Sequence, residues 1–407
     1  MHLPEEFIEE TRLVMGDERF NCFLEAFNEE APTSIRLNPL KIAHGDRNSV
    51  QFDKVPWCEE GYYLEGRPQF TFDPLFHAGC YYVQEAASMF VSHILRTLTS
   101  SLSHPLTVLD LCAAPGGKST AAIAALPEGS TIVSNEPNPT RAQILLENIT
   151  KWGHEGCTVT NSYPRDFRKA KLKFDVILCD VPCSGEGMFR KDPQTVSEWS
   201  RQNVEKCWRL QREIIAEAWE CLHPGGILIY STCTFNTKEN EENVRWMLAE
   251  YPDAELLEIP TLPEWHITGS LLNGFDAPVY RFIPGITRSE GLFICVLRKT
   301  AYRSNHNFSF LISHSSLKVL SPDLPTGDFP RAALSYRDAL RYLRGEALVL
   351  PADTPRGMVT VTYRGIPLGP MKNIGSRANN LYPKPWRIKT THLPEKPPAI
   401  LEQIAKS

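Results

Sequence analysis

No uninterrupted apolar stretch in the sequence approaches the roughly 18 residues that span a membrane. Met1 to Glu10 has neither the basic end nor the apolar centre of a signal peptide, so a cytoplasmic protein with no membrane partner is expected. There is no CxxC pair and no ladder of Cys and His, and the cysteine count, eleven, is odd. A disulfide framework and a metal site are therefore both unsupported, and most of the thiols read as small buried hydrophobes. Internal repeats and low-complexity tracts are missing too. What is present is ordinary: 407 residues, 42% hydrophobic and 22% charged, enough for two or three globular domains at about 100 to 200 residues each.

The net charge of −5 hides an asymmetry. Residues 301–407 hold 15 Lys+Arg against 7 Asp+Glu, a net +8, which leaves −13 on residues 1–300. Between Thr354 and Pro394 there is no acidic residue, while Arg356, Arg364, Lys372, Arg377, Lys384, Arg387 and Lys389 are interleaved with Tyr363, Tyr382 and Trp386. A surface that tracks phosphates and stacks bases has this composition. A solvated basic face over a few core aromatics has it equally.

Nine acidic residues lie in Met1 to Glu30 beside Leu13, Phe20, Phe23, Leu24 and Phe27, whose spacing predicts an amphipathic helix packed on a small leading domain. Ser34 to Lys41 reads as a strand and turn. From about Thr107 short apolar runs alternate with helical ones. Strands are predicted at Val108–Leu111, Thr131–Ser134, Thr158–Thr160, Asp175–Cys179, Ile227–Tyr230 and Leu292–Leu297. Helices are predicted at Ser119–Ala125, Thr140–Trp152, Val204–Leu222 and Glu239–Glu250. Such alternation argues an α/β fold with a parallel, doubly wound, Rossmann-like sheet, whose ligands sit at the carboxyl ends of the strands.

The first of those strands runs into Cys112-Ala113-Ala114-Pro115-Gly116-Gly117-Lys118 and then a helix. Small residues let a ligand approach the backbone, and the helix N-terminus offers free N–H groups. Gly117-Lys118-Ser119 matches the end of a phosphate-binding GxxxxGK[ST] loop, but position 112, where its first glycine belongs, is Cys. The dinucleotide pattern GxGxxG is absent as well. Asp110, with Glu136 at the end of the next strand, instead suits the hydroxyls of an adenosyl ligand without a phosphate chain. An acidic residue after a strand is also a common helix cap.

Two further strand ends carry thiols. Asp180-Val181-Pro182-Cys183-Ser184-Gly185 follows one and Ser231-Thr232-Cys233 another, and in a doubly wound sheet these strands are expected to be neighbours. A methyl donor beside a thiol points to a carbon that becomes nucleophilic only after something adds to it. C5 of a pyrimidine is such a carbon: thiolate attack on C6 makes C5 enamine-like, and loss of its proton after methylation releases the enzyme. The attacking cysteine then needs nearby positive charge or hydrogen bonding, for which Lys118 is the nearest candidate. Composition does not choose between the two cysteines, and two buried structural thiols remain the bland alternative.

Together Leu109 to Lys118, Asp180 to Gly185 and Ser231 to Cys233 resemble the S-adenosylmethionine-dependent RNA (cytosine-C5)-methyltransferases. The likeness extends through Ser34 to Asn38, Tyr82 to Ser88, Arg281 to Pro284 and Glu290 to Phe293. Gly185 to Pro193, Gly369 to Lys372 and Asn379 to Lys384 are similar to the bacterial branch of RsmF type, which methylates small-subunit ribosomal RNA. The resemblance implies a class I methyltransferase domain over residues 76–300, a small α+β N-terminal RNA-binding domain over 1–75 and a basic, PUA-like RNA-binding domain over 301–407. It implies Cys233 as nucleophile, Cys183 as the cysteine that assists release, and Asp180 hydrogen-bonding the cytosine near the cofactor. Cys112, Ala113, Ala114, Pro115, Gly116, Gly117 and Lys118 would wrap S-adenosylmethionine, Glu136 its ribose, and Arg141 would support that pocket. If Cys183 were the nucleophile, as in DNA cytosine methyltransferases, Cys233 would have no role. Many relatives carry an acidic residue after the third core strand for the adenine amino group; here Asn161-Ser162-Tyr163-Pro164 fills that place, with Asp166 further along. The expected substrate is 16S ribosomal RNA and the expected state a monomer without metal. Transfer RNA as substrate, or a non-catalytic RNA-binding assembly factor, are the alternatives.

Overall fold

The computed structural model describes residues 3–42, 52–100, 102, 104–300, 317–390, 392–398 and 400–401. Residues 301–316, the start of the expected C-terminal domain, lie outside the described residues. The leading segment builds an antiparallel sheet from β1 (Thr33–Leu37), β2 (Gly61–Leu64) and β3 (Tyr81–Val83), in the order β2-β1-β3. The central sheet follows. Five of its strands are parallel: β4 (Thr107–Asp110), β5 (Thr131–Asn135), β6 (Cys157–Thr160), β7 (Phe174–Asp180) and β8 (Leu222–Thr232). Their order is β8-β7-β4-β5-β6, so the chain steps outward from β4 through β6 and then crosses back to β7. That reversal sets the carboxyl ends of β4 and β7 side by side, where a doubly wound sheet leaves its ligand crevice.

The edges of this sheet correct the expectation of an all-parallel arrangement. β9 (Ala254–Leu256), β10 (Val279–Phe282), β11 (Leu292–Lys299) and β12 (Val319–Leu320) all pair antiparallel. Leu292–Leu297 is a strand as its apolar run predicts, but it runs against β8, with Phe293 opposite Thr232. The connection from β10, Ile283 to Gly291, carries no helix, and a link that short joins antiparallel neighbours.

The acidic leader differs from its predicted form in two ways. It is two helices, Glu5–Met15 and Asp17–Glu25, broken at Gly16, whose φ of 76° is one that glycine adopts without strain. Its apolar face packs on the catalytic unit and not on the leading sheet. Phe7 meets Phe189 at 5.0 Å and Trp199 at 5.6 Å between ring centroids, and Phe23 meets Phe235 at 5.1 Å. Offset and edge-on aromatic packing of this kind adds to the area it buries.

The last unit comprises β13 (Arg331–Ala333), the helix Tyr336–Leu343, β14 (Gly357–Tyr363), β15 (Ile366–Asn373) and β16 (Ala378–Asn380). It separates the two readings of the basic tail. Tyr363 and Tyr382 are buried in the core and Trp386 packs against it, while Arg356, Arg364, Lys372, Arg377, Lys384 and Lys389 face solvent. The charges are available to phosphates; the two tyrosines are core and do not serve as stacking platforms. This unit shares an apolar cluster with the leading sheet, and Tyr336 Oη donates to Phe72 O at 3.0 Å.

Phe23→Ala should destabilise the protein by about 3–5 kcal/mol, because it empties a fully buried aromatic site between leader and catalytic unit. Leu13→Ala, at a position 86% exposed, should change stability by no more than about 0.5 kcal/mol. Thermal midpoints of the two variants test this; equal midpoints would show that the leader does not brace the catalytic unit.

Candidate active site

β7 and β8 are neighbours in register, with Asp180 opposite Ser231. Asp180 Oδ1 accepts from Ser231 Oγ at 2.7 Å and Oδ2 from Lys118 Nζ at 2.8 Å, so one carboxylate ties together the ends of β7 and β8 and the first turn of helix Gly117–Ala125. Three residues beyond Asp180, Cys183 Sγ lies 3.2 Å from Cys233 Sγ, and Cys233 N donates to Cys183 Sγ at 3.3 Å. Both thiols are free and half-buried. Sequence reading placed them at neighbouring strand ends; only the register brings the sulfurs into contact.

Two buried carboxylates that sequence reading passed over lock the loops carrying these cysteines. Glu186, on the Cys183 loop, accepts from Phe235 N at 2.7 Å, Asn236 N at 3.0 Å and Trp199 Nε1 at 2.9 Å. Glu239, on the Cys233 loop, accepts from Ser184 N at 3.1 Å, Gln211 Nε2 at 2.6 Å and Asn236 Nδ2 at 2.8 Å. Gly187 N donates to Cys233 O at 2.8 Å, and a Cβ on Gly187 would come within 2.9 Å of the Gly291 backbone. Glycine at 187 and 291 is what lets the two segments touch. In a chain read singly, such carboxylates look like any acidic residue in a polar loop; their signal is burial.

Electrostatics separates the two thiols. The hydrogen bond to Cys233 raises Cys183 most, burial adds to it, and the charges of Cys233 and Glu239 push the same way, so Cys183 titrates well above an ordinary thiol. Burial alone would lower the Lys118 ammonium, but the Asp180 carboxylate outweighs it, with Cys233 adding attraction, and Lys118 stays charged above its usual range. Lys118 is thus the cation that faces Cys233, as the sequence suggested.

The loop from Cys112 to Lys118 lies beside this pair. Ala114-Pro115 is a cis peptide, and Gly116 has φ 111° with Leu145 Cδ1 3.2 Å from where a Cβ would stand. Glu136, buried, accepts from Asn138 N at 2.9 Å and pairs with Arg141 at 3.2 Å, and Arg141 also donates to Ala114 O at 2.9 Å. Burial, then the charges of Asp110, Asp180 and Glu136, push the Cys112 thiol up, so three carboxylates converge on this one loop. Asp110 is held up to about 7 chiefly by burial; its Oδ2 accepts from Ser119 Oγ at 2.7 Å, while Oδ1 is buried with no partner. An orphaned acceptor among carboxylates fits a cationic ligand with donor groups, which S-adenosylmethionine is. Asn161, where relatives place an acid, spends its amide on the carbonyls of Glu136 and Pro137, and Asp166 caps its own helix through Tyr163 N. Among the described residues, no group of three or more His, Cys, Asp or Glu could hold a metal ion, and no helix is long and apolar enough to cross a membrane.

A doubly wound sheet with a small-residue loop after its central strand and acidic groups at the ends of β4 and β5 defines a class I, S-adenosylmethionine-dependent methyltransferase. Residues 100–298 match the 16S rRNA methyltransferase RsmB/F family, residues 3–86 the N-terminal domain of 16S rRNA methyltransferase RsmF, and residues 329–388 the PUA domain of methyltransferase RsmF. The chain belongs to the RsmB/F family of RNA methyltransferases. The ribosomal RNA small subunit methyltransferase F of Pectobacterium atrosepticum is 34% identical over 83% of this chain and 68% of its own length. That of Klebsiella pneumoniae is 36% identical over 83% and 70%. A solved methyltransferase homologue from Pyrococcus horikoshii aligns with a TM-score of 0.58 at 27% identity, over 73% of this chain and 100% of that one.

Two measurements check the site. Iodoacetamide at pH 8 should label Cys183 more slowly than a free thiol, and Cys233→Ala, which removes the largest cause of its upward shift, should speed that labelling several-fold; an unchanged rate would leave burial and the Glu239 charge as the causes. Asp110, raised from 3.8 to about 7, contributes stability that is full below pH 4 and is lost as pH rises through 7. Asp110→Asn should therefore have a flatter thermal midpoint between pH 4 and 8 than the wild type.

Proposed function

We propose that this protein methylates C5 of a cytosine in 16S ribosomal RNA through a covalent Cys233–C6 intermediate. The observation that carries the reading is the contact between Cys233 and a Cys183 held as a thiol, beside the Asp180–Lys118 pair. S-adenosylmethionine, held by Cys112 to Lys118, Asp110, Glu136 and Arg141, supplies the methyl group. Cys233 Sγ adds to C6, and Asp180 orients the cytosine. After C5 has taken the methyl, the C5–H bond breaks with its proton leaving to solvent, and its electron pair forms C5=C6. As that double bond forms, the C6–S bond breaks and its pair returns to Cys233 Sγ, onto which the Cys183 S–H donates.

The target base must leave its stack, which costs a few kcal/mol in a paired helix and less in a loop. Phosphate contacts from the basic C-terminal unit offset that cost. In this reading residues 1–75 and 301–407 are RNA-binding domains around a catalytic domain of 76–300. The protein acts in the cytoplasm as a monomer without metal, on the small subunit or its RNA. A factor that only bound RNA would have no use for two thiols in contact.

Bisulfite sequencing of ribosomal and transfer RNA from cells with and without the protein should show one or more protected cytosines lost from 16S RNA. Loss confined to transfer RNA would replace the substrate, and no loss would favour a non-catalytic role. Cys233→Ala should abolish turnover, while Cys183→Ala should accumulate a slow-migrating RNA adduct on a denaturing gel. The same adduct with Cys233→Ala would overturn the assignment of the nucleophile.

A further inference from the structure

Glu239 stands outside the steps above, yet it touches both sides of the residue that assists release. Its carboxylate accepts from Ser184 N, immediately after Cys183, at 3.1 Å. It also accepts from Gln211 Nε2 at 2.6 Å, and the same amide donates to Pro182 O, immediately before Cys183, at 2.9 Å. Asn236, three residues after Cys233, donates to its other oxygen at 2.8 Å. Helix Arg201–Glu220, the Cys183 loop and the Cys233 loop thus converge on one buried carboxylate. The far side is equally fixed: Tyr230 Oη donates to Glu239 O at 2.5 Å, and Asn243 Nδ2 to Gln211 Oε1 at 2.8 Å.

We propose that Glu239 is the positioning residue of the release step: with Gln211 it clamps the backbone on either side of Cys183, so that the Cys183 S–H stays aimed at Cys233 Sγ. Its negative charge acts in the same direction. A thiolate at Cys183 would face the Glu239 carboxylate and the Cys233 sulfur at once, with the Tyr230 hydroxyl near it and Glu186 behind Glu239. Lys118 faces Cys233 and is paired with Asp180. Geometry and charge therefore both favour the protonated form of Cys183, whose sulfur lies 3.2 Å from that of Cys233. Burial raises Glu239 itself to about 7, against three donors, Ser184 N, Gln211 Nε2 and Asn236 Nδ2, that favour its ionised form.

The proposal rests on the covalent reading, and its test separates the two. Glu239→Gln keeps the size, removes the charge and turns an amide N–H₂ toward N–H donors. It should slow product release about tenfold, with an RNA adduct accumulating and KM for RNA little changed, since misplacement of a reacting group by less than an ångström costs on this order. Without RNA or cofactor, the pH profile of Cys183 alkylation should move toward lower pH. Glu239→Asp, which keeps the charge, should restore the alkylation profile in part. Gln211→Met, which keeps Glu239 but loses the link to Pro182 O, should accumulate adduct with a smaller change in alkylation, and serves if Glu239→Gln fails to fold. Thermal midpoints and binding of S-adenosylhomocysteine report folding independently. An unmoved alkylation profile in folded Glu239→Gln would overturn the proposal. If the profile moves but Cys183→Ala itself forms no adduct, the covalent reading falls and the control of Cys183 by Glu239 stands.

Discussion

The register between β7 and β8 is the constraint on which the rest of the site depends. Two parallel strands lie side by side with Asp180 opposite Ser231, and the loops that leave them carry Cys183 and Cys233 into contact. Side chains alternate across a strand, so a slip of one residue would send Asp180 to the other face and part the sulfurs. The strands are buried on both faces, with Ile177 and Leu228 fully inaccessible, and that burial is what makes the register costly to change.

Burial also explains why so many polar groups surround the thiols without destabilising them. Glu186, Glu239, Gln211 and Tyr230 are removed from water, yet each finds partners within the network, which the half-buried Asn236 completes. A buried network of this kind is favourable only when it is satisfied throughout, so it admits few alternative arrangements of the two loops. Arg281 extends it outward, gripping Glu241 and donating to Phe235 O at 2.8 Å. The two cysteine loops are tied to each other because their polar groups bond within the network. Asp110 differs: among the described residues its Oδ1 is one of the buried side-chain atoms left without a partner.

The units outside the central sheet pack their apolar faces inward and leave most of their charges to solvent. The leader seals the catalytic unit through Phe7, Phe20 and Phe23 and leaves its acidic face to solvent. The leading sheet reaches the cofactor loop through Arg36, which donates to Gln84 Oε1 at 2.8 Å and to Thr120 Oγ1 at 2.6 Å. The C-terminal unit places its tyrosines in the core and most of its charges outside.

By itself the sequence determined the class of fold and placed the small-residue loop, both cysteines and Asp180 at strand ends, because each is written in a short contiguous motif. Alternating apolar runs and helices were equally legible, since side-chain periodicity is local. Tertiary structure alone decided the antiparallel edges, the seat of the leader on the catalytic unit, and whether Tyr363 and Tyr382 point inward, because direction, docking and burial depend on residues far away in the chain. It also decided the protonation of Cys183: the groups that set it, Cys233 and Glu239, lie 50 and 56 residues further on, and a thiol's pKa responds to charges and burial in space and not to neighbours in sequence.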